Sequence, residues 1–177
     1  MTRFEESSRC SAGNPIIFRW FGFPACSIGS DLDAATEAFF NALDAPNRVW
    51  SPQNRAMAKM EFQRRIQKAE RGELTPIDEV KPVDVLNPPP MYEIRWQSIH
   101  VSAFVDGVTS HMNIIVRLYH SEPESHPGHF IGHHVHEKDL AAGHIYRAQD
   151  EEIGVSKRFF DSGIPISWGI ATQQCAI

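Results

Sequence analysis

The feature that most narrows the fold is a period-two run followed by a turn dipeptide. Tyr92, Ile94 and Trp96 alternate with Glu93, Arg95 and Gln97. That is the pattern of a half-buried strand, because successive side chains of an extended chain point to opposite sides. Asp106-Gly107 lies downstream, flanked by apolar-rich runs. Both residues tolerate positive φ, so the spacing predicts a tight hairpin and an antiparallel sheet. NIIVRLYH (113–120) and HFIGHHVHEK (129–138) read as two further strands.

The first half of the chain follows a different pattern. PIIFRWFGFP (15–24) suits a first strand, since aromatic and β-branched side chains fit a pleated surface. Ser30 or Asp31 is placed to cap a helix whose apolar stripe is Leu32, Ala35, Phe39 and Leu43, ending before Pro46 and Asn47. Ser51-Pro52 combines an N-cap oxygen with a proline at the first helical position, and Gly72 supplies the stop. This second helix carries six basic side chains, including Arg64, Arg65 and Lys68, against Glu61 and Glu70. With Met57, Met60 and Ile66 turned inward, its basic face reads as solvated in preference to phosphate-binding. An acidic, proline-containing connector (73–90) leads to the sheet, and a closing helix is expected over about 150–161.

The expected fold class is therefore α+β: an N-terminal strand and two helices, then an antiparallel sheet and a closing helix. The chain divides into a flexible tail (1–14), one domain (15–163) and a C-terminal extension (164–177) that returns as a strand or extended segment. A length of 177 residues with 42% hydrophobic and 22% charged side chains fits one globular domain. No apolar stretch approaches the length needed to cross a bilayer and the N-terminus lacks a signal-peptide core, so a cytoplasmic protein without membrane contact is expected. Cys10, Cys26 and Cys175 are scattered and read as reduced thiols, not as a disulfide framework or a cysteine-based metal site. The net charge of −5 argues against a strongly basic nucleic-acid binder but leaves room for a local basic patch.

Nine histidines are present and five fall between His126 and His136. Strand alternation places Phe130, His134, His136 and Lys138 on one face and Ile131, His133 and Val135 on the other. His134 and His136 thus become candidates for acid–base work, because an imidazole titrates near cellular pH. Lys138 or Arg117 could stabilise an anionic transition state. Arg95 and Arg117 interrupt apolar-rich strands, where a guanidinium is usually either paired or anion-binding, and Glu93 could partner either. His129 and His133 read as partly buried structural residues, His126 and His144 as loop residues, and Tyr119 and Tyr146 as packing residues with a possible part in stacking or proton positioning.

Two other readings of the same surface stand beside this one: a solvated outer sheet face, and a metal site using His134 and His136 with Glu137 or Asp139 nearby. No further motif completes a metal site, so neither metal nor cofactor is expected. There is no glycine-rich phosphate loop and no nucleophile-elbow motif.

Three patches resemble the RelE/ParE/HigB superfamily of bacterial toxins: MYEIRW (91–96), NIIVRLY (113–119) and HHVHEKD (133–139). The similarity spans roughly residues 15–163. It implies a RelE-like fold and a toxin of a toxin–antitoxin system: an mRNA endonuclease, or interferase, acting on RNA at the ribosome, with a cognate antitoxin over its active face. In that family, basic and histidine side chains on the sheet promote attack of a ribose 2′-hydroxyl on the adjacent phosphate. Carried over by position, His134 and His136 would be catalytic, and Arg95, Arg117 and Lys138 would bind substrate. The same resemblance admits a non-catalytic alternative, a protein-interaction module such as a gyrase-type inhibitor. Oligomeric state is left open.

Overall fold

A computed structural model describes residues 7–26, 29–83, 91–139 and 145–171. Its elements are β1 (Ile17–Trp20), α1 (Asp31–Ala42), β2 (Arg48–Val49), α2 (Pro52–Glu70), β3 (Val80–Pro82), β4 (Met91–Val105), β5 (Val108–Ser121), β6 (His129–Lys138) and α3 (Ile145–Gly163). Short 3-10 turns cover Arg9–Ser11 and Ile164–Gly169. The six strands form one sheet in the order β1-β6-β5-β4-β2, with β3 also paired to β4. β1 runs parallel to β6 and the other pairs are antiparallel. The class is α+β, with a mixed sheet.

Local chemistry accounts for the element ends. Ser30 and Asp33 form a reciprocal capping box at α1, which satisfies backbone donors that a helix start leaves open. The Ser51 hydroxyl accepts from the Asn54 amide, with Pro52 at the first helical position of α2. Asp106 and Gly107 take φ values of 51° and 79°. Positive φ at both central residues matches the right-handed strand twist, so Val105 pairs directly with Val108.

Helices cover both faces of the sheet. On one side α1 and α2 bury Phe39, Phe62 and Trp96, whose rings stack at 4.5 and 4.9 Å, over Ile94, Val116, Leu118 and Phe130. On the other side α3 packs through Ile153 on Met91 and Tyr119, and through Phe160 on Ile131. Trp168 and Ile170 complete this second layer, with the Trp168 indole donating to the Phe160 carbonyl at 3.0 Å. Residues 164–170, set apart in the sequence as an extension, therefore dock through a 3-10 turn over Ile164–Gly169 and not as a strand.

The N-terminal segment differs from the expected tail as well, because Ser8 and Cys10 are buried. A second correction concerns α2. Ala58, Phe62, Ile66 and Ala69 face the core, while Met57 and Met60 are exposed. The stacking series through Phe62 fixes the helix rotation, and the two methionines lie outside that stripe. Among the described residues, no helix is long and apolar enough to cross a membrane.

The histidine strand contains a β-bulge. Tyr119 pairs with His134 but His120 pairs with Gly132, which leaves His133 as the extra residue. Simple alternation therefore fails across it. Phe130 joins the core with Val135, against the sequence expectation that put Phe130 on the face of His134. Ile131 and His133 instead contact Phe160, on the α3 side. Downstream of the bulge, alternation resumes with His134, His136 and Lys138 on that side.

Candidate active site

The α3 side of the sheet gathers polar side chains from three adjacent strands. β4 supplies Glu93 and Arg95, β5 supplies Arg117 and Tyr119, and β6 supplies His134, His136 and Lys138. Register explains the grouping: Glu93 lies opposite Tyr119 and Arg95 opposite Arg117, while Tyr119 lies opposite His134 and Arg117 opposite His136. Side chains directly across a ladder share a face and stand close enough to interact. All five residues proposed from the sequence are therefore on one surface.

His134 and His136 lie with parallel rings, 6.3 Å between centroids. Their environments differ. His134 Nε2 contacts the Glu152 carboxylate of α3, and its side chain keeps 23% of its surface exposed. An ionised carboxylate only accepts, so Nε2–H is the donor and Nδ1 of the neutral ring is left as an acceptor. The hydrogen bond from His134 is the main reason the Glu152 carboxyl lies below its ordinary range. His136 is buried, with Nε2 at 3.2 Å from the Tyr119 hydroxyl and the two rings stacked. Burial holds the His136 imidazole well below its ordinary value, so it stays neutral at cellular pH. Burial, then the Glu93 charge, raises the Tyr119 hydroxyl, which keeps its proton.

The cations are unequal too. Arg117 is 2% exposed and donates to the carbonyls of Val116 (3.0 Å) and Trp96 (3.4 Å). Glu93 faces both arginines, 3.7 Å from Arg117 Nε and 3.4 Å from Arg95 Nε, so the carboxylate expected to partner one of them serves both. Arg95 also donates to the Ile77 carbonyl at 2.6 Å. Lys138 is half-buried at the end of β6, and burial followed by the Arg117 charge lowers its ammonium from the ordinary value. Of the three sequence-proposed anion binders, Arg117 is thus a buried structural cation, Arg95 is largely committed to Glu93 and Ile77, and Lys138 stands at the accessible margin.

Removal of Glu93 should be costly. In Glu93→Ala the Arg117 guanidinium stays buried without its carboxylate, and breaking one side of such a pair costs roughly 3 kcal/mol. Urea unfolding checks this. A loss smaller than about 0.5 kcal/mol, the range of an ordinary surface change, would show that Arg117 does not depend on Glu93.

Glu152 is the site residue that sequence reasoning missed. The signal was present in α3, where Glu152 precedes Ile153, Ser156 and Phe160, the buried stripe that faces the sheet. Glu137, considered in the sequence as a metal ligand beside His134 and His136, instead points to the opposite face. There Arg48 binds it through two nitrogens at 3.0 and 3.2 Å. Arg65 and Lys68 of the basic helix converge on Glu79, which favours the reading of that helix as structural. His144 lies outside the described residues, as does the side chain of Tyr146. Comparison with protein-family models, with curated proteins and with solved structures yields no match to this chain.

Proposed function

We propose that this protein is a toxin-like RNA endonuclease in which His134 transfers the proton and Lys138 meets the scissile phosphate. The observation that carries the reading is the His134–Glu152 pair. A partly exposed imidazole oriented by a carboxylate, with no hydrogen-bond partner on its second nitrogen among the described residues, is the arrangement a general base requires. In the reaction a ribose 2′-hydroxyl loses its proton to His134 Nδ1 and its oxygen bonds to phosphorus. The P–O5′ bond breaks, and the imidazolium returns the proton to the departing oxygen. The products are a 2′,3′-cyclic phosphate and a 5′-hydroxyl.

Lys138 contributes a positive charge at the rim, and Arg95 and Arg117 contribute field from beneath. His136 belongs to the scaffold in this scheme, because a buried neutral imidazole bonded to Tyr119 is a poor proton carrier. RNA, free or on the ribosome, is the substrate, and a cognate antitoxin would cover the same face.

The test compares an RNA oligonucleotide with its 2′-deoxy counterpart, without and with ribosomes. Cleavage of the RNA alone, leaving a cyclic phosphate, is expected. Equal cleavage of both, or of neither, would remove the mechanism. A second reading, protein docking without catalysis, draws on the exposed Phe104, Val105 and Val108 around the β4–β5 turn. It predicts that toxicity on expression survives His134→Ala and is lost in Val108→Asp.

A further inference from the structure

We infer that Cys10, His120 and Glu122 form a divalent-metal site of zinc type, which staples the N-terminal turn to the end of β5. Cys10 lies more than a hundred residues from His120 and Glu122, and the fold brings them together at the Arg9–Ser11 turn. Cys10 and His120 are fully buried and Glu122 is 4% exposed. Cys10 Sγ lies 3.7 Å from His120 Nε2, and Nε2 lies 3.0 Å from Glu122 Oε1. All three ligand atoms fall within 4.8 Å of one another. Tetrahedral zinc with ligand bonds of about 2.0–2.3 Å sets its ligands ~3.3–3.7 Å apart, so little movement is needed to admit an ion.

The surroundings suit a ligand set. Stacking on Tyr92 and an edge contact with Phe130 fix the plane of the His120 ring. The other carboxylate oxygen, Oε2, is held by the Arg9 amide at 2.7 Å and by the Arg9 guanidinium at 3.4 Å. Oε1 is left facing the cluster, a division of labour common for ligating carboxylates.

Without a metal, Oε1 accepts from Ser8 at 2.5 Å and from His120 Nε2 at 3.0 Å, with the Cys10 thiol 3.7 Å from the same ring nitrogen. Two donors share that oxygen. A dication takes the place of the thiol proton, the His120 proton passes to Nδ1, and the thiolate and the carboxylate together balance the charge of the ion in this buried place. A thiolate, an imidazole and a carboxylate together select zinc over magnesium or calcium. The Ser8 hydroxyl, 2.5 Å from Oε1, is a candidate for the fourth ligand.

A cysteine ligates zinc as its thiolate, so metal uptake expels the thiol proton. Affinity should therefore rise with pH. The experiment uses the full chain stripped with a chelator and titrated with Co²⁺, then Zn²⁺. The expected result is one equivalent of cobalt, a thiolate-to-cobalt charge-transfer band displaced by zinc, and a melting temperature raised by several degrees.

To identify the thiol without disturbing the cluster, the titration is repeated on Cys26→Ser/Cys175→Ser, in which Cys10 is the remaining cysteine. The band should persist there at equal intensity and vanish in Cys10→Ser. No band in the wild-type chain, or a band lost in the double variant, overturns the inference. So does a band that survives Cys10→Ser.

Discussion

His134→Ala is expected to lower RNA cleavage by about 10²–10⁴-fold, the usual contribution of a positioned general base or acid, while leaving stability nearly unchanged. The second half of that statement follows from position. His134 is partly exposed, and its polar partner Glu152 keeps 36% of its side-chain surface in water, so each can be rehydrated when the other is removed. Glu152→Gln should be milder, roughly 10-fold in rate by the same reasoning. The amide still bonds the ring but no longer favours the imidazolium that forms during proton transfer.

Its diagnostic readout is the pH–rate profile. The base must be neutral, so the rate falls at low pH, and it is this acidic limb of the profile that should move when the neighbouring carboxylate is removed. A purely structural role for Glu152 would change the rate without moving that limb. His136→Ala should act differently, reducing stability through the lost Tyr119 contact and affecting rate only in proportion. Wild-type cleavage in the His134→Ala/His136→Ala double variant would end the proposal.

Much of this surface is legible in the sequence, because its residues obey a local rule. Glu93 and Arg95 alternate on one strand, and Arg117 and Tyr119 on the next. His134, His136 and Lys138 all fall on the same side of the bulge, so alternation among them is unbroken. The Asp106-Gly107 turn then fixes β4 against β5 and brings the first two sets into register.

What the sequence hid has two physical origins. One is the bulge at His133: an inserted residue reverses parity without any local signature, so alternation alone assigns Phe130 to the wrong face. The other is sequence distance. Glu152 reaches His134 only because α3 folds back across the sheet, and Cys10 reaches His120 only because the N-terminal turn docks at the end of β5. Cysteine spacing, which detects metal sites made of local pairs, could not signal a set separated by more than a hundred residues. The same remoteness explains Arg117. In sequence it is a cation among apolar neighbours, either structural or functional, and its contacts with Glu93 and two carbonyls decide for the structural role.

Acid should unfold this protein through histidines that the fold keeps neutral, with a loss on the order of 5 kcal/mol between about pH 6.5 and pH 4. His133 is the clearest case. It is fully buried, Nδ1 donates to the Phe21 carbonyl at 3.0 Å, and Nε2 accepts from the Ser121 hydroxyl at 2.8 Å. Both nitrogens are satisfied in the uncharged ring, and no carboxylate faces it among its hydrogen-bond partners. Burial holds its ionisation down to about 4.

In the unfolded chain the same imidazole takes up its proton near pH 6.5. Above that value neither state is protonated and the stability is fully present. Between about 6.5 and 4 the unfolded chain binds the extra proton, so stability falls as pH falls. Below about 4 both states are charged and this residue subtracts nothing more. At about 1.4 kcal/mol per pH unit the gap is worth about 3 kcal/mol, and His136, depressed in the same direction by burial, adds to it in the same window.

Glu122 continues the loss at lower pH. Burial alone would raise it, but hydrogen bonds from His120, Ser8 and the Arg9 amide hold it down to about 2. Its stabilisation is therefore present above about pH 4.5 and disappears on the way to pH 2. Urea unfolding at several pH values reads the slope directly: about two protons should be taken up per molecule unfolded near pH 5, and His133→Gln should reduce that by one. Stability that stays level from pH 7 to pH 4.5 would mean that His133 and His136 carry their protons inside the fold. The scaffold on which His134 rests would then be charged and not neutral.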